Sequence, residues 1–176
     1  MKHHEERLSH DELKRMLNYS PETGVFTWTE DASKPHRHHL RKGVAGTVNK
    51  KGYRSIMVNL QKYKAHRLAW FFMTGKWPSG QIDHRNTIKD DNRFENLREA
   101  TNEQNCRNRI YRQSKTPYRG VGLYSKSGKW YAAIHYEKKR RHLGYFDTPE
   151  EASAVYEAEA RRIYGEFYHP PNIPAP

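Results

Sequence analysis

The sequence predicts an α+β protein assembled from two small modules, and three observations predict it. Apolar residues make up 35% of 176 residues, with a mean hydropathy of −1.14; that is too little for one large core, yet the 12% of aromatic residues can anchor several small ones. Short stretches of alternating apolar and polar residues, bounded by Gly, Pro and Asn turns, read as antiparallel strands. Charge divides sharply toward the C-terminal end: residues 111–147 carry 9 basic and 2 acidic residues, whereas residues 148–176 carry 2 and 5.

The elements follow in order. Ser9-His10-Asp11-Glu12 is a capping box, with Glu12 placed to return to the Ser9 backbone, and predicts a helix to about Leu17 with Leu13, Met16 and Leu17 inward. Pro21–Gly24 is turn chemistry and Val25–Trp28 a strand. Residues 29–43, polar and basic, predict a long loop containing His36, His38 and His39. Val44–Val48 and Tyr53–Leu60 are strands joined by the turn Asn49–Gly52, with Ile56, Val58 and Leu60 on one buried face. His66–Thr74 is an apolar helix stopped by Gly75 and Pro78. Gln81–His84 is a short strand, Asn92–Leu97 turns the chain, Leu97–Thr101 is a second strand, and Asn102 caps a helix through Ile110. Residues 1–60 are thus a helix plus β-rich extension, and residues 61–110 a core containing a strand–loop–strand–helix unit.

Residues 111–117 lack apolar periodicity and are the expected linker. The second module, residues 118–167, is a meander of Tyr118–Tyr124, Trp130–Glu137 and Arg140–Phe146, followed by a helix with Thr148 as N-cap, Pro149 at its first position and Glu151 at its third. Ala152, Tyr156, Ala160, Ile163 and Phe167 share one helical face and can cover the three-stranded sheet. Period-two alternation puts Trp130, Ala132 and Ile134 under the helix and Tyr131, Ala133 and His135 outward; on the third strand Arg140 and His142 point outward and Leu143 inward. Residues 168–176 are a Pro-rich tail.

A net charge of +12 and a pI near 9.8 call for a polyanionic partner, either nucleic acid or an anionic membrane surface. No apolar run approaches the ~18 residues that span a bilayer. The start, Met1 to Arg7, lacks the apolar segment of a secretory signal, so the cell interior is the expected location. The single cysteine, Cys106, excludes an intramolecular disulfide and a multi-cysteine zinc ribbon.

The residues that carry chemistry fall in 81–110. A carboxylate with a neutral oxygen ligand suits a hard cation such as Mg²⁺, and a histidine can act as general base near neutral pH. Asp83 and His84 are neighbours on a strand and point to opposite sides, so they serve one site only where the strand ends. The alternative for an isolated Asp-His pair is a solvated loop beside a capped helix.

Asp83-His84, Asn96-Leu97 and Asn105, with Ala65–Trp70, Thr74–Pro78 and Asp91-Asn92-Arg93 around them, resemble the HNH (ββα-metal) nucleases of the phage and intron-encoded, homing-like branch over roughly residues 8–110. The resemblance implies Asp83 and Asn105 as metal ligands and His84 as general base. It makes Asn96 the structural residue that ties the loop and orients His84. It implies one Mg²⁺ or Mn²⁺ ion and products with a 5′-phosphate and a 3′-hydroxyl. The family often has His where this chain has Asn105. His66 is expected to be structural or to contact phosphate, Cys106 to be a small buried residue, and the basic residues around His36, His38 and His39 to favour DNA over zinc.

Tyr118–Val121, Trp130–Ile134, His142–Thr148 and Glu151–Tyr156 resemble the plant ethylene-response-factor (AP-two) DNA-binding domain across residues 118–167. That resemblance implies a sheet laid in the DNA major groove, with Arg119 and Arg140 at positions of DNA-contacting arginines; Tyr131, His135 and His142 join them as outward residues. Gly122, Ala133, His135 and His142 depart from the plant pattern, so the plant sequence preference does not transfer. The expected whole is a metal-dependent endonuclease on double-stranded DNA, guided by its C-terminal module, working in the cytoplasm of a bacterial host if phage-encoded. The readings beside it are a non-catalytic DNA-binding regulator and an RNA-directed nuclease.

Overall fold

The computed structural model describes residues 5–30, 43–108, 116–137 and 139–170. The expectations for His36, His38 and His39, for Ile110, for 111–115 of the linker and for 171–176 lie outside these residues. The chain divides into two compact units, Met1–Asn102 and Glu103–Pro176, a division that falls ahead of the expected linker.

In the first unit, helix α1 (His10–Met16) opens on Ser9, whose hydroxyl accepts from the Glu12 amide at 3.1 Å. Only this half of the capping box forms, because the Glu12 carboxylate accepts from Asn59. The backbone turns extended at Leu17, where the helix was expected to end, and continues into a strand that was not expected, β1 (Leu17–Ser20). β1 pairs antiparallel with β2 (Val25–Trp28). Gly24 closes this hairpin at φ +71°, and a Cβ there would stand 2.4 Å from the backbone of Asn92 and Arg93, so only glycine allows the approach. Tyr19 and Pro21 use that proximity: the Tyr19 hydroxyl donates to the Asn92 carbonyl (2.7 Å) and the Phe94 amide to the Pro21 carbonyl (3.0 Å).

Strands β3 (Thr47–Val48), β4 (Arg54–Val58) and β5 (Gln61–Lys64) form a second sheet in that order. The expected strand Val44–Val48 shrinks to β3 plus an isolated bridge from Val44 to Thr27. The expected strand Tyr53–Leu60 ends at Val58, because Asn59 and Leu60 both take positive φ (49° and 62°) to turn the chain into β5. Leu60 is therefore 89% exposed instead of inward, while Ile56 and Val58 are buried. Helix α2 (Ala65–Thr74) ends on Gly75 at φ +69°, whose amide caps Phe71. The core gathers Leu13, Leu17, Phe26, Ile56, Val58 and Leu68, extended by the stack of Phe71 on Trp77 (4.2 Å). β6 (Gln81–His84) and β7 (Leu97–Ala100) complete the unit as a two-stranded ladder, and α3 (Asn102–Arg107) follows.

In the second unit β8 (Val121–Tyr124), β9 (Lys129–Tyr136) and β10 (Lys139–Phe146) form the expected meander, β9 central. α4 (Pro149–Tyr164) starts as predicted: Thr148 accepts from the Glu151 amide, and the Glu151 carboxylate accepts from the Asp147 amide. Ala152, Tyr156 and Ala160 pack on Val121, Ala132 and Ile134. Gly165 ends α4 before Phe167, and Tyr168 takes the last place in this core. No described helix is long and apolar enough to cross a membrane.

Candidate functional site

β6 ends at His84, and the loop 85–96 folds back over it. Asp83 and His84 alternate as strand neighbours must, and each finds its own partner. Asp83, 5% exposed, accepts at Oδ2 from Arg98 Nε (2.9 Å) and Nη2 (2.8 Å), its register neighbour on β7. Arg98 is equally buried. His84, 4% exposed, makes its hydrogen bond through Nε2 to Asn92 Oδ1 at 3.3 Å. Asn92 Nδ2 donates to the Asp90 carbonyl, which assigns the amide oxygen to the histidine. An amide oxygen has no proton to give, so Nε2 is the donor in this hydrogen bond. Burial holds the His84 pKa below the usual histidine value, opposed by the Asn92 hydrogen bond and by the carboxylates of Asp83, Asp91 and Asp90.

Asn96, expected to tie the loop and orient His84, does the first. Its Oδ1 accepts from the Asn86 amide (3.0 Å) and its Nδ2 donates to the Asp91 carbonyl (2.7 Å). The residue that meets His84 is Asn92, which is 1% exposed. Asp91 stiffens the same loop: two hydrogen bonds from Arg93 and one from Asn86 hold its carboxyl down at about 2. Arg54 clamps Asp90 with a two-point pair at 2.9 and 2.8 Å and so fastens the loop to β4.

Two more rings stand against the His84 imidazole. His66, 7% exposed on the first turn of α2, meets it edge-on with centroids 5.1 Å apart, and Tyr53 lies 5.5 Å from His66 and 6.1 Å from His84. The ammonium groups of Lys64 and Lys89 both lie about 5 Å from the Tyr53 ring, at 5.1 and 5.2 Å. Sequence reasoning missed Asn92, Arg98 and Tyr53 as site residues. Asn92 stood in the Asp91-Asn92-Arg93 run without a role, and Arg98 becomes visible only once the register sets it opposite Asp83.

Asn105 and Cys106 lie half-buried on α3, in the residues of the second unit. In that unit Arg119 precedes β8 and donates to the Arg107 carbonyl (3.2 Å), while Arg107 stacks on Tyr164 at 4.7 Å. The other four expected contacts, Tyr131, His135, Arg140 and His142, share the sheet face away from α4, with Arg140 opposite His135 in the register. The Arg140 guanidinium lies over Tyr131 at 5.2 Å, and Gly122 leaves room for the Tyr131 phenol to cross β8.

Comparison with known proteins identifies an HNH endonuclease domain at residues 63–107, from β5 through α3. The chain is 30% identical over 128 residues to the uncharacterized HNH endonuclease L560 of Acanthamoeba polyphaga mimivirus, covering 72% of this chain and 66% of that protein. It is 46% identical over 57 residues to the ethylene-responsive transcription factor-like protein At4g13040 of Arabidopsis thaliana, which covers 32% of this chain and 24% of that protein. The chain thus spans about a quarter of the one relative and 66% of the other. No solved structure matches it. The HNH domain and its viral relative point to a nuclease.

Proposed function

We propose that the chain is a metal-dependent DNA endonuclease in which the HNH domain, residues 63–107, cuts double-stranded DNA and residues 118–167 supply DNA affinity. The observation that carries this reading is His84: a buried imidazole, its pKa lowered by burial, held by Asn92 at the end of β6, next to Asp83, inside the matched domain.

HNH nucleases generally use a divalent metal ion. Among the described residues no cluster of three or more His, Cys, Asp or Glu side chains surrounds a common point. A hard cation can be held by one carboxylate and one amide oxygen, with water and substrate phosphate filling its other positions. Asp83 and Asn105 are the residues that would hold it. When bound, the ion would stabilise the charge that develops at the phosphate and on the leaving 3′ oxygen. His84 takes a proton from the attacking water, while Asn92 keeps the ring from rotating. Asn96 and Asp91 hold the loop that carries Asn92. Lys64 and Lys89, gathered at Tyr53, are placed to meet a substrate phosphate. The products carry a 5′-phosphate and a 3′-hydroxyl.

Supercoiled plasmid incubated with Mg²⁺, with Mn²⁺ and with EDTA tests this. Nicking or linearisation in the metal arms, lost in EDTA and in His84→Ala, is the expected result. Intact plasmid in every arm, with DNA binding retained, would instead make the chain a non-catalytic DNA-binding regulator.

A further inference from the structure

The outer face of the second unit's sheet departs from simple alternation, and the departure changes what the face presents. On β10 strict alternation would put Tyr145 on the same side as Leu143, under α4. A bulge lies between His142 and Gly144, so that His142 opposes Ala133, Gly144 opposes Ala132 and Tyr145 opposes Tyr131. Gly144 makes the bulge possible at φ +140°, where a Cβ would press on the Phe146 ring at 3.0 Å. Tyr145 is thereby turned outward and is 52% exposed.

The result is a row of rings across all three strands. Tyr124 on β8 meets Tyr145 (5.5 Å), Tyr145 meets His142 (4.5 Å), and His142 stacks with Tyr131 on β9 (6.3 Å). Arg140 lies over the Tyr131 ring, and the sequence from 111 to 147 holds 9 basic against 2 acidic residues. A duplex hides the flat faces of its bases and offers only edges and phosphates, which are read by forked hydrogen-bond donors such as Arg, Asn and Gln. This row contains one such donor, Arg140, already laid on Tyr131. Rings and cations side by side on an open sheet suit bases that are already unstacked.

We propose that this outer face is a stacking platform for the unpaired bases of single-stranded DNA, formed by Tyr124, Tyr131, His142 and Tyr145 with Arg140 beside them. The inference rests on the DNA-binding reading of the second unit and names the strand that its face takes. A platform of this kind would hold the strand opened at a nick or a distorted site.

The test measures affinity of the full chain, in EDTA so that nothing is cut, for a single-stranded oligodeoxynucleotide, for its duplex and for the matching RNA, at two salt concentrations. Tyr145→Ala and Tyr124→Ala are expected to weaken single-strand binding about 10-fold, the scale of one lost base stack, with the salt slope unchanged and duplex affinity altered less than about 2-fold. Tyr145→Trp is expected to bind the single strand at least as tightly as the wild type. Both tyrosines are partly exposed, so their loss leaves the sheet core untouched. Equal losses on single strand and duplex, no loss on either, or an RNA preferred over the matching DNA would each overturn the proposal. Plasmid cleavage keeps the two readings apart: a chain that cuts without these tyrosine effects loses the platform alone, and one that binds single strands but never cuts loses the nuclease alone.

Discussion

The two units hold their polar side chains in opposite ways. In the first, Asp83, His84, Asn92, Asn96 and Arg98 are each at most 5% exposed, and their hydrogen bonds run to one another and to the loop 85–96. In the second, His135, Arg140, His142 and Tyr145 stand exposed on an open sheet. A buried polar group must keep its partner, because an orphaned one bears the full desolvation penalty. An exposed one exchanges its partner for water at little cost. Substitutions in the first unit should therefore damage stability and chemistry together, and those on the second unit's face should damage binding alone.

Asp83→Ala is the strongest test of that contrast. It leaves Arg98 charged and buried without its carboxylate, which costs about 3–5 kcal/mol, and it also removes the expected metal ligand. We expect a clear drop in the urea midpoint together with lost cleavage. Adding Arg98→Met should recover much of the midpoint and none of the cleavage. A wild-type midpoint for Asp83→Ala would mean that the buried pair contributes nothing.

His84→Ala should lower cleavage about 10²-fold or more, the scale of a lost general base, with DNA affinity near normal. Burial lowers the His84 pKa, so the neutral ring persists to lower pH than in free histidine, whose value is 6.5. The acid limb of the cleavage profile should accordingly fall below pH 6.5; a limb centred above pH 7 would contradict the buried, neutral assignment.

The two loop asparagines should separate. Asn92→Ala removes the partner of the His84 ring and should slow cleavage more than Asn96→Ala, which loosens the loop from one step away. Each leaves buried groups unpaired and should cost about 1–3 kcal/mol. By calorimetric titration, Asn96→Ala should lose less metal affinity than Asn105→Ala. The reverse order would exchange the structural and ligand roles.

Much of this was legible in the sequence, and the misses have common causes. β6 was read to the residue, and the Thr148 cap and the β8–β10 meander from local turn and capping chemistry. The strand Leu17–Ser20 was not foreseen and Leu60 was misplaced, because the helix-to-strand switch and the Asn59-Leu60 turn are imposed by strand pairing and have no local signal. Asn96 was recognised as the tie of the loop, yet the contact to His84 fell to Asn92, since which of two nearby asparagines faces a ring depends on how the loop closes. Tyr145 was hidden by the bulge at Leu143, because alternation carries no mark of a register shift. The Arg98–Asp83 pair is a cross-strand contact and needs the register itself.

The smallest effect expected is also the sharpest control on the exposed side of the comparison. Glu157 lies on α4, which packs on the sheet face opposite Tyr131 and Arg140, and it pairs with Arg161 one turn on at 3.6 Å. Such a partly exposed helical pair is worth about 0.3–0.5 kcal/mol, so Glu157→Lys should hardly move the melting temperature. The substitution adds two positive charges, which alone would favour a polyanion at any site on the protein. At physiological ionic strength, however, the Debye length is about 8 Å, and a charge on the far side of the sheet is largely screened from nucleic acid on the outer face. Affinity for single strand and duplex should stay within about 2-fold of wild type at that salt. A weakening of 5-fold or more could not come from electrostatics, whose sign is opposite. It would place α4 itself against the nucleic acid and would remove the distinction between an inner face that holds the fold and an outer face that binds.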